Sequence, residues 1–165
     1  MRKFLLLLFC TALLHCVSSE ARACTCSVEV MFPGETEAQR IERDKRRIKD
    51  ALSEARAVFS GKILKIKRGI PTDADAAPPV QVTFKVSKVW KNVKTEKVIV
   101  MTDRDIYGMC GMPFEVGESY LVYACEWKEA DGLGTGQCTR TIEMSLAEDD
   151  LKVSGEGKAL KRAKR

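Results

Sequence analysis

Cysteine carries most of the reactive chemistry in this 165-residue chain, which holds seven cysteines and a single histidine. Cys24 and Cys26 form a Cys-x-Cys pair, and Cys110, Cys125 and Cys138 follow far downstream. Cys10, Cys16 and the lone His15 fall in an apolar leader. Beyond that leader there is no imidazole, so Ser–His–Asp and Cys–His catalysis are excluded, as is any zinc site with a histidine ligand. A four-thiolate zinc site uses paired Cys-x2-Cys knuckles, and the Cys-x-Cys here has no matching second pair. Catalysis is left only a carboxylate- or thiol-based route without histidine. Disulfide formation is the chemistry these thiols fit. Five thiols allow fifteen ways to make two bonds and leave one free, and spacing does not choose among them.

The leader sets the compartment in which that chemistry would run. Arg2 and Lys3 are followed by an apolar run from Phe4 to Leu14, then by polar residues leading to Ala21-Arg22-Ala23. A charged start, a short apolar core and a small-x-small site are the parts of a secretory signal peptide. The apolar run is too short for a bilayer-spanning helix. The expectation is therefore a signal over residues 1–23, a mature chain beginning at Cys24, and a secreted, extracellular or periplasmic, protein without a transmembrane segment. Lipidation of Cys24 is the alternative, but of the three residues before it only Ala23 suits a lipoprotein site.

Removing Arg2, Lys3, Arg22 and Glu20 takes the formal net charge from +5 to +3, a balance too mild to predict a nucleic-acid partner. Residues 24–152 read as one domain of a size that buries a core. Residues 153–165, with Lys158, Lys161, Arg162, Lys164 and Arg165, read as a disordered basic tail that at most touches anionic surfaces.

The elements that would position the cysteines are mainly strands. Thr36-Glu37-Ala38-Gln39 fits a capping box, and Ile41, Ile48, Leu52 and Ala55 make one narrow stripe along the charged helix that follows. Leu64 and Ile66 alternate with lysines after Gly61, a bulge or bend position. Val80, Val82, Phe84 and Val86 alternate with polar residues as a half-buried strand, and the parity break at Val89-Trp90 predicts a bulge near Ser87-Lys88. Val98–Val100, Tyr120–Trp127 and Thr139–Met144 supply three more strands, with Asp131–Gly136 as a loop. Ser145-Leu146-Ala147-Glu148 predicts a second capping box and a short final helix. The expected fold is mainly β: a five-stranded OB-type barrel with one long helix on its N-terminal side and a short C-terminal helix.

With those residues in view, the chain resembles the amino-terminal, netrin-like domain of the tissue inhibitors of metalloproteinases, in its bacterial single-domain form. The resemblance lies in Cys24-Thr25-Cys26, in Cys110-Gly111-Met112-Pro113-Phe114 and in Cys138-Thr139-Arg140-Thr141. It extends through Ala57–Lys62, Val86–Lys91 and Phe114–Val122, and covers most of residues 24–152. It implies an OB-fold barrel with Cys24 bonded to Cys110 and Cys26 to Cys138. These bonds would close loops of 87 and 113 residues, worth about 4–5 kcal/mol each in the chain-entropy model, as an upper figure. Cys125 has no counterpart and is expected to be a buried free thiol, the alternative being an intermolecular disulfide.

The resemblance also implies a function. The free amine and the carbonyl of Cys24 would chelate the catalytic zinc of a secreted zinc metalloendopeptidase, displacing the water that the enzyme activates. Thr25 would enter the enzyme's specificity pocket, Cys26, Ser27 and Val28 would continue along its groove, and Tyr107, Gly108 and Met109 would lie beside them. The chain would be an inhibitor rather than an enzyme, with no cofactor of its own; the zinc belongs to the target. The alternative is a netrin-like module for another extracellular ligand. The third disulfide and the second domain of the animal inhibitors are not represented, and Ser27-Val28 stands where they carry proline. Intact mass and amino-terminal sequencing of secreted protein should give a start at unmodified Cys24. A start at Ala21 or earlier, or a diacylglycerol mass, would contradict the chelation mechanism.

Overall fold

The computed structural model describes residues 34–69, 79–103, 110–127 and 132–160. The leader, Cys24, Thr25, Cys26, Ser27 and Val28, and Tyr107, Gly108 and Met109 lie outside the described residues.

Helix α1 spans Glu37–Glu54 and begins with the expected capping box. The Gln39 amide donates to Thr36 Oγ1 at 3.3 Å, and the Thr36 amide donates to Gln39 Oε1 at 2.9 Å. Of the predicted stripe, Ile48 and Ala55 are buried and Leu52 is half-buried, but Ile41 is 47% exposed. The helix packs on the rest of the fold through its C-terminal half, by way of Ala51, Leu52 and Ala55, which leaves Ile41 uncovered.

The strands are β1 (Ala57–Arg68), β2 (Val80–Lys91), β3 (Lys97–Thr102), β4 (Ser119–Trp127), β5 (Gly132–Gly134), β6 (Ile142–Glu143) and β7 (Lys158–Ala159). Helix α2, Glu148–Ser154, follows a 3-10 turn at Met144–Leu146. β1 pairs with β2, β2 with β3, β3 with β5 in parallel, β5 with β4, and β4 again with β1. The five strands form a closed ring, so the fold is mainly β. In β2, Val80, Val82, Phe84 and Val86 all face inward. Ser60 pairs with Lys88 and Gly61 with Val86, so Ser87 is the extra residue of a bulge, as the parity break predicts. Gly61 belongs at that bend because a Cβ there would lie 3.0 Å from the Lys85 carbonyl oxygen. A second irregularity, between Ile63 and Lys65, turns Leu64 out to 41% exposure.

Four expectations need correction. The fifth strand of the ring is Gly132–Gly134, inside the stretch read as a loop, and Thr139–Met144 contributes only the two residues of β6. Ser145 does not cap α2: the helix starts at Glu148 with Ala147 at its N-cap and no side-chain cap, while Ser145 bonds to Glu143. The basic tail begins later than residue 153. Val153 and Ser154 complete α2, β7 pairs with Lys88 and Val89, and Leu160 packs on the core. Trp90 fixes this return by donating from its indole nitrogen to the Gly155 carbonyl at 2.8 Å. Finally, Cys125 is exposed rather than buried. It continues the Leu121–Tyr123 face of β4, but α1 ends at Glu54, and among the described residues no helix extends over that face beyond Tyr123.

Two cores result. Inside the ring, Phe59, Phe84, Phe114 and Tyr120 form a chain of edge-to-face contacts with centroids 5.5, 5.6 and 4.8 Å apart. Phe114 comes from an irregular segment, which explains the aromatic in Cys110–Phe114: it fills the ring, a burial worth about 2–3 kcal/mol. Outside the ring, Val58, Leu121 and Tyr123 meet Ala55 and Ala147 of the helical layer.

A polar network crosses this outer core. The Tyr123 hydroxyl donates to Asp150 Oδ1 at 2.9 Å, and Arg140 binds both oxygens of Asp150 from Nε (2.7 Å) and a terminal nitrogen (3.0 Å). Arg140 also reaches Asp44 of α1 at 3.1 Å. Burial, followed by the Asp150 charge, pushes the Tyr123 hydroxyl pKa up. A hydroxyl raised on folding contributes its full stabilisation below about pH 10, the unfolded value, and loses it as pH climbs toward the folded value. Tyr123→Phe should cost about 1.5–3 kcal/mol at pH 7 and less above pH 10, by urea unfolding across pH. A gap that stays constant with pH would contradict this role.

Candidate functional site

Cys110 and Cys138 lie on hydrogen-bonded neighbouring segments because the return strand along β4 is broken. Cys125 pairs with Gly134 and Leu121 with Ile142, so the three β4 residues between them face the seven residues 135–141. The four surplus residues make an excursion, and Cys138 sits on it. An excursion of this kind strips β4 of ladder partners, and threonine hydroxyls replace them. The Tyr123 amide donates to Thr141 Oγ1 at 3.0 Å, and its carbonyl lies within 3.4 Å of the Thr135 and Thr141 hydroxyls. Thr135 Oγ1 is 2.6 Å from Thr141 Oγ1 and 2.8 Å from Thr139 Oγ1. Buried polar backbone left unpaired would cost about 1–3 kcal/mol per group, so the three threonines make the excursion tolerable.

The segment that starts at Cys110 is tied directly to it. The Gln137 amide donates to the Cys110 carbonyl at 2.8 Å, and Gln137 Nε2 donates to the Gly111 carbonyl at 3.0 Å. Met112 N donates to Thr102 Oγ1 at 3.1 Å, which anchors the same segment to the end of β3. Gly136 makes the close approach possible, since a Cβ there would lie 2.6 Å from the Cys110 carbonyl oxygen. Cys110 is half-buried and Cys138 exposed. Neither is free, whereas Cys125 is the free cysteine among the described residues.

Cys138 opens onto a cleft of about 460 Å3 between the excursion and α1, lined by Arg47, Asp50, Ala51, Glu54 and residues 137–142. Arg140 forms part of its wall while holding Asp150 and Asp44. The position of Cys138 is thus fixed from beneath by the threonines and from the side by an ion pair. Cys125 lies by Glu54, and partial burial followed by that carboxylate raises its thiol pKa. A raised pKa lowers its thiolate content and its reactivity. Among the described residues no group of His, Cys, Asp and Glu has the arrangement to hold a metal ion.

Of the residues singled out in the sequence, the structure brings Cys110 and Cys138 together and sets Cys125 apart as the free thiol. Cys24–Val28 and Tyr107–Met109 lie outside the described residues, Met109 directly preceding Cys110. Sequence reading missed the supports: Thr135, Gly136, Gln137, and the ion-pairing role of Arg140. The one local signal was the alternation Thr139-Arg140-Thr141, which places the two hydroxyls on one side and the guanidinium on the other.

No family model matches the chain, and a comparison with curated proteins found no match. The family resemblance therefore stands on its motif residues alone.

Gly136→Ala tests the junction. The new methyl group must displace the Cys110 backbone, and overpacking of that kind costs about 1–3 kcal/mol. The urea midpoint should fall accordingly. An unchanged midpoint would show that the two segments are not held at the observed distance.

Proposed function

We propose that the chain is a secreted inhibitor of zinc metalloendopeptidases, built on an OB-type, netrin-like barrel, whose mature amino terminus chelates the zinc of its target. The observation that carries this reading is the juxtaposition of Cys110 with the Gln137–Cys138 corner. In an extended Cys-x-Cys the two side chains leave the same face about 7 Å apart. Two partnered cysteines on hydrogen-bonded neighbouring segments are the receivers such a pair requires. Bonds from Cys24 to Cys110 and from Cys26 to Cys138 would pin the first three mature residues against the ring, where a chain terminus ordinarily frays. The ring order supports the barrel, with its parallel β3–β5 pairing and its closure of β4 on β1.

The chemistry follows from a pinned terminus. The α-amine of Cys24 has a reference pKa near 8, so an appreciable neutral fraction is present at pH 7, and metal binding draws out more. Amine nitrogen and carbonyl oxygen of one residue close a five-membered chelate on zinc, displacing the hydrolytic water. Thr25 then projects into the specificity pocket, and Ser27 and Val28 continue along the substrate groove. Tyr107, Gly108 and Met109 are carried to the same edge by their link to Cys110. Pinning the terminus in advance removes ordering cost from binding. The zinc is the target's, and the chain contributes no catalytic group.

One alanine added before Cys24 converts the amine into an amide nitrogen, a poor ligand. Inhibition of a panel of secreted zinc endopeptidases should disappear, with an unchanged melting temperature as the folding control. Thr25→Gly should weaken inhibition about tenfold to a hundredfold, the loss of about 1–3 kcal/mol of pocket contact. Equal inhibition by the extended and native forms would overturn chelation. No inhibition by processed native protein would favour a netrin-like binding module.

A further inference from the structure

The outer face of β1, β2 and β3 carries a charge arrangement that nothing in the fold explains. Lys62 pairs directly with Lys85, and Lys85 with Lys97, so three lysines stand in one cross-strand row. The next rows are Lys65–Thr83–Ile99 and Lys67–Gln81–Met101. All five lysines are exposed, and none forms an ion pair with a described carboxylate. Glu96, which precedes Lys97, and Glu118, which precedes the Ser119 that pairs with Lys62, are exposed and pair with none of them. Like charges placed directly opposite destabilise a sheet. Lysines often guard an open strand edge, but Lys85 lies in the middle strand, paired on both sides, so edge protection does not account for it.

We infer that this face binds an acidic polysaccharide. Strand spacing of about 4.8 Å and a repeat of about 7 Å along each strand spread five positive charges over a patch of about 10 by 14 Å on the outside of the ring. That geometry matches a linear polymer with regularly spaced anionic groups. The middle strand adds a hydroxyl and an amide, Thr83 and Gln81, that hydrogen-bond sugar hydroxyls. No aromatic side chain stands in the three rows, so the face lacks the stacking platforms of single-stranded nucleic-acid binding. Lysines act as point charges that suit dispersed sulfate or carboxylate groups rather than bidentate recognition. The charge is local, which reconciles the patch with a mild overall balance. The inference requires neither the leader nor the zinc-chelating terminus.

The test uses the full secreted chain and heparin as the sulfated probe, titrated at several salt concentrations. Double-stranded DNA and vesicles containing phosphatidylglycerol are run in parallel. The triple variant Lys62→Gln, Lys85→Gln, Lys97→Gln should bind heparin at least tenfold more weakly. Its slope of log affinity against log salt should fall by about 2–3, the number of lost charge contacts. Its melting temperature should be equal to or above that of the native chain, because the repulsive row is gone. A control triple off the face, Lys45→Gln, Lys49→Gln, Lys94→Gln, changes net charge equally and should weaken binding less than threefold. If the first triple does not fold, Lys85→Gln alone should lower heparin affinity about twofold to threefold. Equal losses in both triples, no heparin binding by the native chain, or DNA or vesicles bound as tightly as heparin would each overturn the inference.

Discussion

Asp150 is a carboxylate with only 2% of its surface exposed, and the arrangement around it depends on keeping that charge satisfied. Burying a carboxylate is unfavourable unless it is paired and hydrogen-bonded, and here Tyr123 and Arg140 together do both. Because Tyr123 belongs to the ring, Arg140 to the cysteine-bearing excursion and Asp150 to α2, one carboxylate fixes three separate parts of the chain. Asp44 extends the hold to α1 through the same guanidinium. Removing one partner from such a buried pair generally costs about 3–5 kcal/mol, so the four groups behave as a unit. Cys138 lies two residues from Arg140, and its place beside Cys110 follows from that unit and from the threonines beneath it.

What could be read in the sequence was local. Period-two alternation marked β2 because one face is buried from Val80 to Val86, and the parity break at Val89 marked the bulge that interrupts it. Thr36 and Gln39 announced the start of α1 because a capping box closes within four residues. β5 was not legible: Gly132-Leu133-Gly134 offers one apolar side chain between two glycines, which reads as a turn. Its strand character comes from being laid between β3 and β4 by the rest of the ring. Ser145 illustrates the converse. Its motif is locally sound, but Met144–Leu146 forms a 3-10 turn and shifts the helix start to Glu148.

The candidate site divides in the same way. Cys110 and Cys138 were visible as residue types, and their motif context pointed to a shared role. What puts them side by side was not visible, because ion pairs and hydroxyl ladders join residues distant in sequence. Arg140 is the clearest case: its partners lie 96 and 10 residues away. Cys125 misled because alternation along β4 predicts which face a residue occupies, not whether a helix covers that face. α1 stops at Glu54, and the thiol is left exposed.

A ring closed on itself, a plug of edge-to-face aromatics and a pinned corner are the features of a rigid scaffold, and rigidity at that corner is what zinc chelation by a chain terminus would need. The most direct test of this account is the cysteine connectivity of the secreted protein, mapped by non-reducing peptide digestion with thiol labelling under denaturing conditions. The account predicts Cys24 bonded to Cys110, Cys26 bonded to Cys138, and Cys125 as the one labelled thiol. A bond between Cys125 and Cys138 would remove one of the two tethers, and a bond between Cys24 and Cys26 would remove both; either would contradict it.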